Sequence, residues 1–404
     1  MAGNRPTPQT GRKAVRYAVP VAVAGVAAAT IGIGSALAQS GDPDLPKIGA
    51  QELIAKVAGS DAQRLSGSVR ITTDLGLPEL PGGMSGMSFG GPAEGKGGGH
   101  GEQRDAPSPQ AKLTELAAGT HTLRVAADGP DKQRLSIVES AAEYSVVRNG
   151  DQVWAYDSGS NTAYHSTAPR HDTKDGGEPK GVAAASPQEL AKKLLAAVDD
   201  TTSVTVDGTA KVAGRDAYQL LIKPKQGEST VGSVRIAVDA KNGVPLKFTL
   251  TPKGGGKAAV DAAFTKVDFG APSAGTFSFT PPKGTKVTEA PEHKDGGRGD
   301  HKAQGPSGMS GLDVVGKGWT SIAEFSSGDA KGGPVTGKGK SGKDSGKDAG
   351  ANLLDSFGTK VSGSFGTGRV VSTRIVNALI TDDGKVYAGA VTKEALIKAA
   401  EAAK

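Results

Sequence analysis

Apolar and polar residues alternate strictly through "RIAVDAKNGVPLKFTL" (235–250). Ile236 and Val238 alternate with Arg235, Ala237 and Asp239, and Leu246, Phe248 and Leu250 alternate with Lys247 and Thr249. A period of two predicts two strands with one apolar face each, and Asn242-Gly243 between them predicts a turn. The same pattern recurs in "LSGSVRITTDL", "THTLRVAAD", "QRLSIVES", "EYSVVRNG" and "DQVWAYDSGSNTAYH". It returns in "SVTVDGTAKVAG", "RDAYQLLIKP" and "AVDAAFTKVDFG". Spacing near ten residues per strand predicts an antiparallel meander of about ten strands across 49–287.

Only two segments there carry helical periodicity. "GAQELIAKVAGSDAQ" places Leu53, Ile54 and Val57 on one face. "SPQELAKKLLAAVDD" begins with Ser186 as N-cap, Pro187 at the first helical position and Glu189 completing a capping box, with Leu190, Leu194, Leu195 and Val198 as its apolar face. Low-complexity sequence breaks the pattern at 78–110, an insertion read as loop or lid. Charged Gly/Lys/Asp linker fills most of 288–350, with a short ordered segment at 312–325. Residues 351–404 predict a small α/β unit, a hairpin turning at Asp383-Gly384 followed by a helix from about Lys393. At roughly 50 residues it is thin for independent stability and is expected to dock on the main domain.

Composition sharpens this division. Sixty glycines and 36% hydrophobic residues in 404 positions are too lean for a chain folded throughout, so a good part is linker. The formal charge is +6, but Arg5, Arg12, Lys13 and Arg16 stand in the first 38 residues with no acid. The nearly balanced remainder argues against a nucleic-acid partner. The absence of cysteine excludes disulfides, thiolate metal sites, catalytic thiols and lipidation at cysteine. The basic start, an uncharged apolar run from Tyr17 and "ALA" at 36–38 predict export, with cleavage between Ala38 and Gln39. The alternative is an uncleaved anchor over 17–38, since about 20 apolar residues span a bilayer. Both place the body outside the cytoplasmic membrane.

Catalytic signals are weak. "GKGKSGK" (337–343) approaches a phosphate-binding loop, but Asp344 stands where a Ser or Thr is required, and no strand precedes it. His100, His121, His165, His171, His293 and His301 form no pair at helical ligand spacing, so no metal and no cofactor is expected. No motif nominates a nucleophile with a base, and the chain is read as a non-enzyme.

Two short helices cannot cover one face of ten strands. That face is either a closed side-chain core or the lining of a ligand cavity in a half-open barrel. The candidate lining residues are Val69, Ile71, Leu123, Val125, Leu135, Ile137, Trp154, Tyr156, Ile236, Val238, Leu246 and Phe248.

Three stretches resemble the LolA/RseB-like superfamily of periplasmic lipoprotein carriers and envelope-stress sensors. They are "NGDQVWAYDSGSNTAY" (149–164), "VRIAVDAKNGVPLKF" (234–248) and "FSFTPPKGTKV" (277–287), in the family's order, with "SPQELAKKLL" at its mid-chain helix. The resemblance covers about 49–288. It implies a mainly β (α+β) fold, an incomplete antiparallel β-barrel lidded by short helices, around a cavity for acyl chains. It also implies lipid or lipoprotein as partner, or, for a sensor, a membrane protein. A cavity arginine of the carriers would fall at Arg70, with Arg124 as the rival. A structural envelope protein with a filled barrel is the remaining alternative.

Overall fold

The computed structural model describes residues 42–60, 62–76, 112, 115–167, 191, 194–196, 198–289, 313–326 and 358–403. The export segment, the 78–110 insertion, the Ser186 cap and most of the linker sequence lie outside the described residues.

Twelve strands form one open sheet. In chain order they are β1 (Arg64–Thr73), β2 (Gly119–Asp128), β3 (Lys132–Val138), β4 (Glu143–Asn149), β5 (Gln152–Asp157), β6 (Thr162–Thr167), β7 (Thr202–Val212), β8 (Arg215–Pro224), β9 (Val231–Asp239), β10 (Pro245–Pro252), β11 (Val260–Asp268) and β12 (Lys286–Glu289). Across the sheet they run β12-β6-β5-β4-β3-β2-β1-β11-β10-β9-β8-β7. The sheet is thus two meanders, β1–β6 and β7–β11, joined where β11 pairs antiparallel with β1. All ladders are antiparallel except β12 with β6. "DQVWAYDSGSNTAYH" divides into β5 and β6, and β12 adds an edge strand, so the sheet exceeds the ten strands expected. "AGTF" makes a 3-10 turn at Ala274–Phe277, and Pro281-Pro282 follow before the chain reaches the edge.

Helix α1 (Ala50–Ala58) carries Glu52 in its first turn and Lys56 in its last, both favourable to the helix dipole, and buries Leu53 against the sheet. Its C-terminal end meets the Asn242-Gly243 turn. A Cβ on Gly243, whose φ is +71°, would lie 2.5 Å from the Lys56 carbonyl oxygen, so only glycine allows this approach. The same turn is held by Asp239, which is 1% exposed. Its carboxylate accepts bonds from the Arg215 guanidinium and from the backbone N–H groups of Lys241 and Asn242. The Arg215 guanidinium also sits 4.7 Å over the Phe269 ring.

The C-terminal unit is larger than one hairpin. Its sheet contains β13 (Asp313–Val315), β14 (Ile322–Ser326), β15 (Thr359–Gly363), β16 (Gly366–Ser372), β17 (Asn377–Thr381) and β18 (Lys385–Gly389), in the order β13-β14-β18-β17-β16-β15. The segment at 312–325 therefore supplies two of its strands, with β14 paired to β18. Helix α2 (Lys393–Ala402), capped by Thr392, buries Leu396 in a core with Leu379 and Tyr387. The unit is bonded to the main sheet. Arg374 donates to the Asp74 and Lys257 carbonyls and pairs with the Asp74 carboxylate at 2.8 Å. The backbone of Thr230 donates to Ala390, and that of Thr392 to Glu228.

Burial alone would raise the Asp239 pKa, but the Arg215 bonds and the two backbone donors outweigh it and hold the carboxyl below its ordinary 3.8. A depressed carboxylate contributes stability that is present above the unfolded pKa and lost as pH falls through the folded one. Asp239→Asn should therefore lower the melting temperature at neutral pH and flatten the acid limb below about pH 4. Melting curves measured from pH 7 to pH 2 check this; parallel limbs for the two proteins would contradict it.

Candidate functional site: a covered apolar face

Residues paired across an antiparallel ladder project to the same face. The ladders therefore trace one continuous row from Ile71 through Ala262, Phe248, Ile236 and Leu220 to Val206, crossing six strands. Two residues along β1, Val69 continues the same face through Leu123 and Ile137 to Tyr144. We call this face the inner one, because α1 lies on it.

Nine of the candidate lining residues are buried, and Val125 is partly buried against them. Val69, Ile71, Leu123, Leu135, Ile137 and Leu246 belong to one apolar cluster; Ile236, Val238 and Phe248 belong to a second. The second is covered from three directions. Leu53, Ile54 and Val57 of α1, the helical residues Ala191, Leu194 and Leu195, and Trp319 and Ile375 of the C-terminal unit all pack into it. The Tyr218 hydroxyl donates to the Pro46 carbonyl at 3.0 Å and ties the segment before α1 to the sheet. The Trp319 indole N–H donates to Thr202 Oγ1 at 2.8 Å. The row is thus filled by the chain's own side chains, with Ile236 and Val238 at 0% exposure.

Trp154 and Tyr156 are placed elsewhere. On β5 it is Ala155 that pairs with Val146 on the inner face, so its neighbours project outward. There Phe279 packs on both, with ring centroids 5.5 and 5.3 Å away, and Trp154 stacks on His165 at 4.1 Å. The segment from Ser273 to Glu289 crosses this outer face as a strap; it leaves Phe277 buried and ends where Glu289 bonds His165 at 2.7 Å. Arg70 is exposed and alternates with Val69 and Ile71, so it too is on the outer face, as is Arg124 opposite Ser68. Neither arginine reaches the inner row.

Tyr144 is the buried polar side chain at the end of the inner row. It is 2% exposed, and its hydroxyl has no hydrogen-bond partner among the described residues. Burial pushes its pKa up, with the nearby Asp157 carboxylate adding to the effect, so it stays a neutral donor. Tyr144 alternates with Glu143 and Ser145 in "EYSV", which is the local signal for its place on the inner face. Trp319 and Ile375 carry no local signal, because only the docking of a distant unit brings them here. Among the described residues no group of three or more His, Asp or Glu is placed to hold a metal ion, and no helix is long and apolar enough to cross a membrane.

No family model and no curated sequence matches the chain. Among solved structures it is similar to the Pseudomonas aeruginosa MucA/MucB complex, at 15% identity over 87% of this chain and 96% of that one, with a TM-score of 0.38. A LolA superfamily protein from Nitrosomonas europaea matches at 10% identity over 58% and 99%, with a TM-score of 0.22. A conserved protein from Thermus thermophilus matches at 12% identity over 60% and 99%, with a TM-score of 0.31. The open, mostly antiparallel sheet with short helices over one face is the architecture that the sequence motifs implied. With superposition scores this low, the fold stands on the ladders themselves.

Ile236→Asp should unfold the main sheet. A carboxylate buried without a partner costs several kcal/mol, comparable with a typical domain's total stability of about 5–15 kcal/mol. Circular dichroism melting checks it; an unchanged transition would mean that water reaches the row.

Proposed function

We propose that the protein is a non-enzymatic, extracytoplasmic binder of acyl chains, carried by lipids or acylated proteins, and that α1 with the helical residues Ala191, Leu194 and Leu195 is its lid. The observation that carries this reading is the six-strand apolar row lying under a helix of nine residues with a single fully buried side chain, Leu53. A lid held so lightly is exchangeable. Burying one leucine contributes about 1.5–3 kcal/mol, whereas eight methylenes at about 0.8 kcal/mol each contribute about twice the upper figure. A long acyl chain therefore competes well for the surface that Leu53, Ile54 and Val57 occupy. The unpartnered Tyr144 hydroxyl supports the reading, since a carbonyl or hydroxyl on the ligand would satisfy it. The sequence resemblance to the carrier and sensor superfamily points the same way.

A second reading, a sensor acting on a membrane protein, is favoured by one arrangement. Trp319 and Ile375 of the C-terminal unit share a cluster with Ile236 and Phe248. A ligand that remodels this cluster would shift the unit that closes it, which a simple carrier does not need.

Tyr218→Phe removes only the bond that ties the lid segment to the sheet. Losing one such bond weakens closure by about 0.5–1.5 kcal/mol, so fluorescent fatty-acid affinity should rise about two- to tenfold. No saturable binding by either form would reject the acyl reading and leave a filled structural barrel.

A further inference from the structure

On the outer face, away from the lid, the structure holds a groove of about 580 Å³. That volume is within the usual range of about 300–1,000 Å³ for small-ligand sites. Its floor is paved with short residues, Ser66, Ser68, Ala126 and Ser136, and its walls are long charged ones, Arg124, Arg134, Lys266 and Asp268.

The walls are placed by a register break. Ser68 pairs with Lys266, yet Val69 pairs with Phe264, so Thr265 is an extra residue on β11. Strict alternation would put Phe264 and Lys266 on the same face. The bulge keeps Phe264 in the inner core and turns Lys266 and Asp268 outward, while Val267 packs inward. Gly67 permits this, because a Cβ there would lie 2.3 Å from the Lys266 carbonyl oxygen.

The opposite wall is organised from below. Ser136 and Ser145 are buried, and their hydroxyls bond at 2.9 Å; Ser145 then donates to Glu143 at 2.8 Å. Burial would raise the Glu143 pKa, but these hydroxyls and the two arginines hold it below its ordinary value, so it is a fixed carboxylate. It fixes in turn the Arg124 guanidinium at 3.2 Å and that of Arg134 at 3.6 Å. Arg134 is further committed to Ser136 and to the Thr276 carbonyl. Arg124 uses one terminal nitrogen on Glu143 and leaves the rest of its fork facing solvent, its side chain 63% exposed. Lys266 has no acidic partner among the described residues, and Asp268 spends one oxygen on the Gly270 N–H. Two cations are therefore available against one half-used carboxylate. Lys266 and Arg124 flank Ser68 from its two neighbouring strands, with backbones about 10 Å apart, a span that two long side chains close around one oxyanion.

We infer that this groove is a binding site for a phosphate-bearing ligand, with Lys266 and Arg124 clamping the phosphate over the Ser66 and Ser68 hydroxyls and Ser136, Ser145 and Glu143 acting as positioning residues. The groove is larger than a phosphate, which leaves room for the group that carries it. Both a lipid headgroup and a soluble phosphate ester meet this description.

The test is titration of the full chain with sn-glycerol 3-phosphate, followed by amide chemical shifts. Flotation with phosphatidylcholine vesicles, with and without phosphatidylglycerol, runs in parallel. Saturable shifts at residues 66–68 and 266–268 are expected, or flotation that requires phosphatidylglycerol. The first assigns a soluble ester and the second a headgroup. Lys266→Ala and Arg124→Ala should each weaken binding about tenfold or more, as expected for a charge-assisted bond, without changing the melting temperature. Ser145→Ala should weaken it less, and glutamate chemistry at 143 should matter through Arg124, so Glu143→Gln should lower affinity while Glu143→Asp retains part of it. Absence of binding in both arms, or binding that survives Lys266→Ala together with Arg124→Ala, would overturn the site.

Discussion

The ladder between β1 and β11 is the constraint on which the molecule depends. It pairs residues almost two hundred positions apart and fuses two hairpin meanders into one sheet. Without it the inner row would be two short patches, Val69 to Tyr144 on one meander and Ala262 to Val206 on the other. With it the row is continuous, and its register is set by burial, because a slip of one residue would turn the apolar side chains to solvent. The bulge at Thr265 lets the same ladder keep Phe264 inside while presenting Lys266 outside. One local irregularity therefore serves both faces.

Much of this was legible in the alternation of single strands. Ile236, Val238 and Phe248 read correctly as one apolar row because their neighbours Arg235, Lys247 and Thr249 are polar. In "QVWAYD" the rule fails: both rows are apolar, and the larger pair, Trp154 and Tyr156, draws the assignment. What decides the face is Phe279 on a strap more than a hundred residues away, which no local pattern encodes. The bulge leaves only a trace, a change of phase between Phe264 and Val267 in "AAFTKVD", and the partner strand is needed to place the extra residue at Thr265.

The C-terminal unit is only partly legible in its sequence, for two physical reasons. Its β15–β16 hairpin, "TKVSGSFGTGRVVS", is rich in glycine and polar residues and has little periodic contrast. Its β14 strand comes from a segment set in linker sequence, and it becomes a strand only by pairing with β18. The candidate site shares this dependence on distant partners. The row itself is local, but what covers it comes from α1, from the mid-chain helix and from Trp319 and Ile375. Under the proposed acyl-binding role, that cover is the displaceable occupant of the row.

Hydrogen exchange of the full chain with and without a long-chain fatty acid tests that exchange most directly. Amides of residues 53–58 should lose protection when the ligand binds, while those of β9 and β10 keep theirs, because the ligand takes the place of the lid and leaves the sheet intact. Unchanged protection across α1 in the presence of a saturating ligand, or loss of β9 and β10 together with α1, would contradict it.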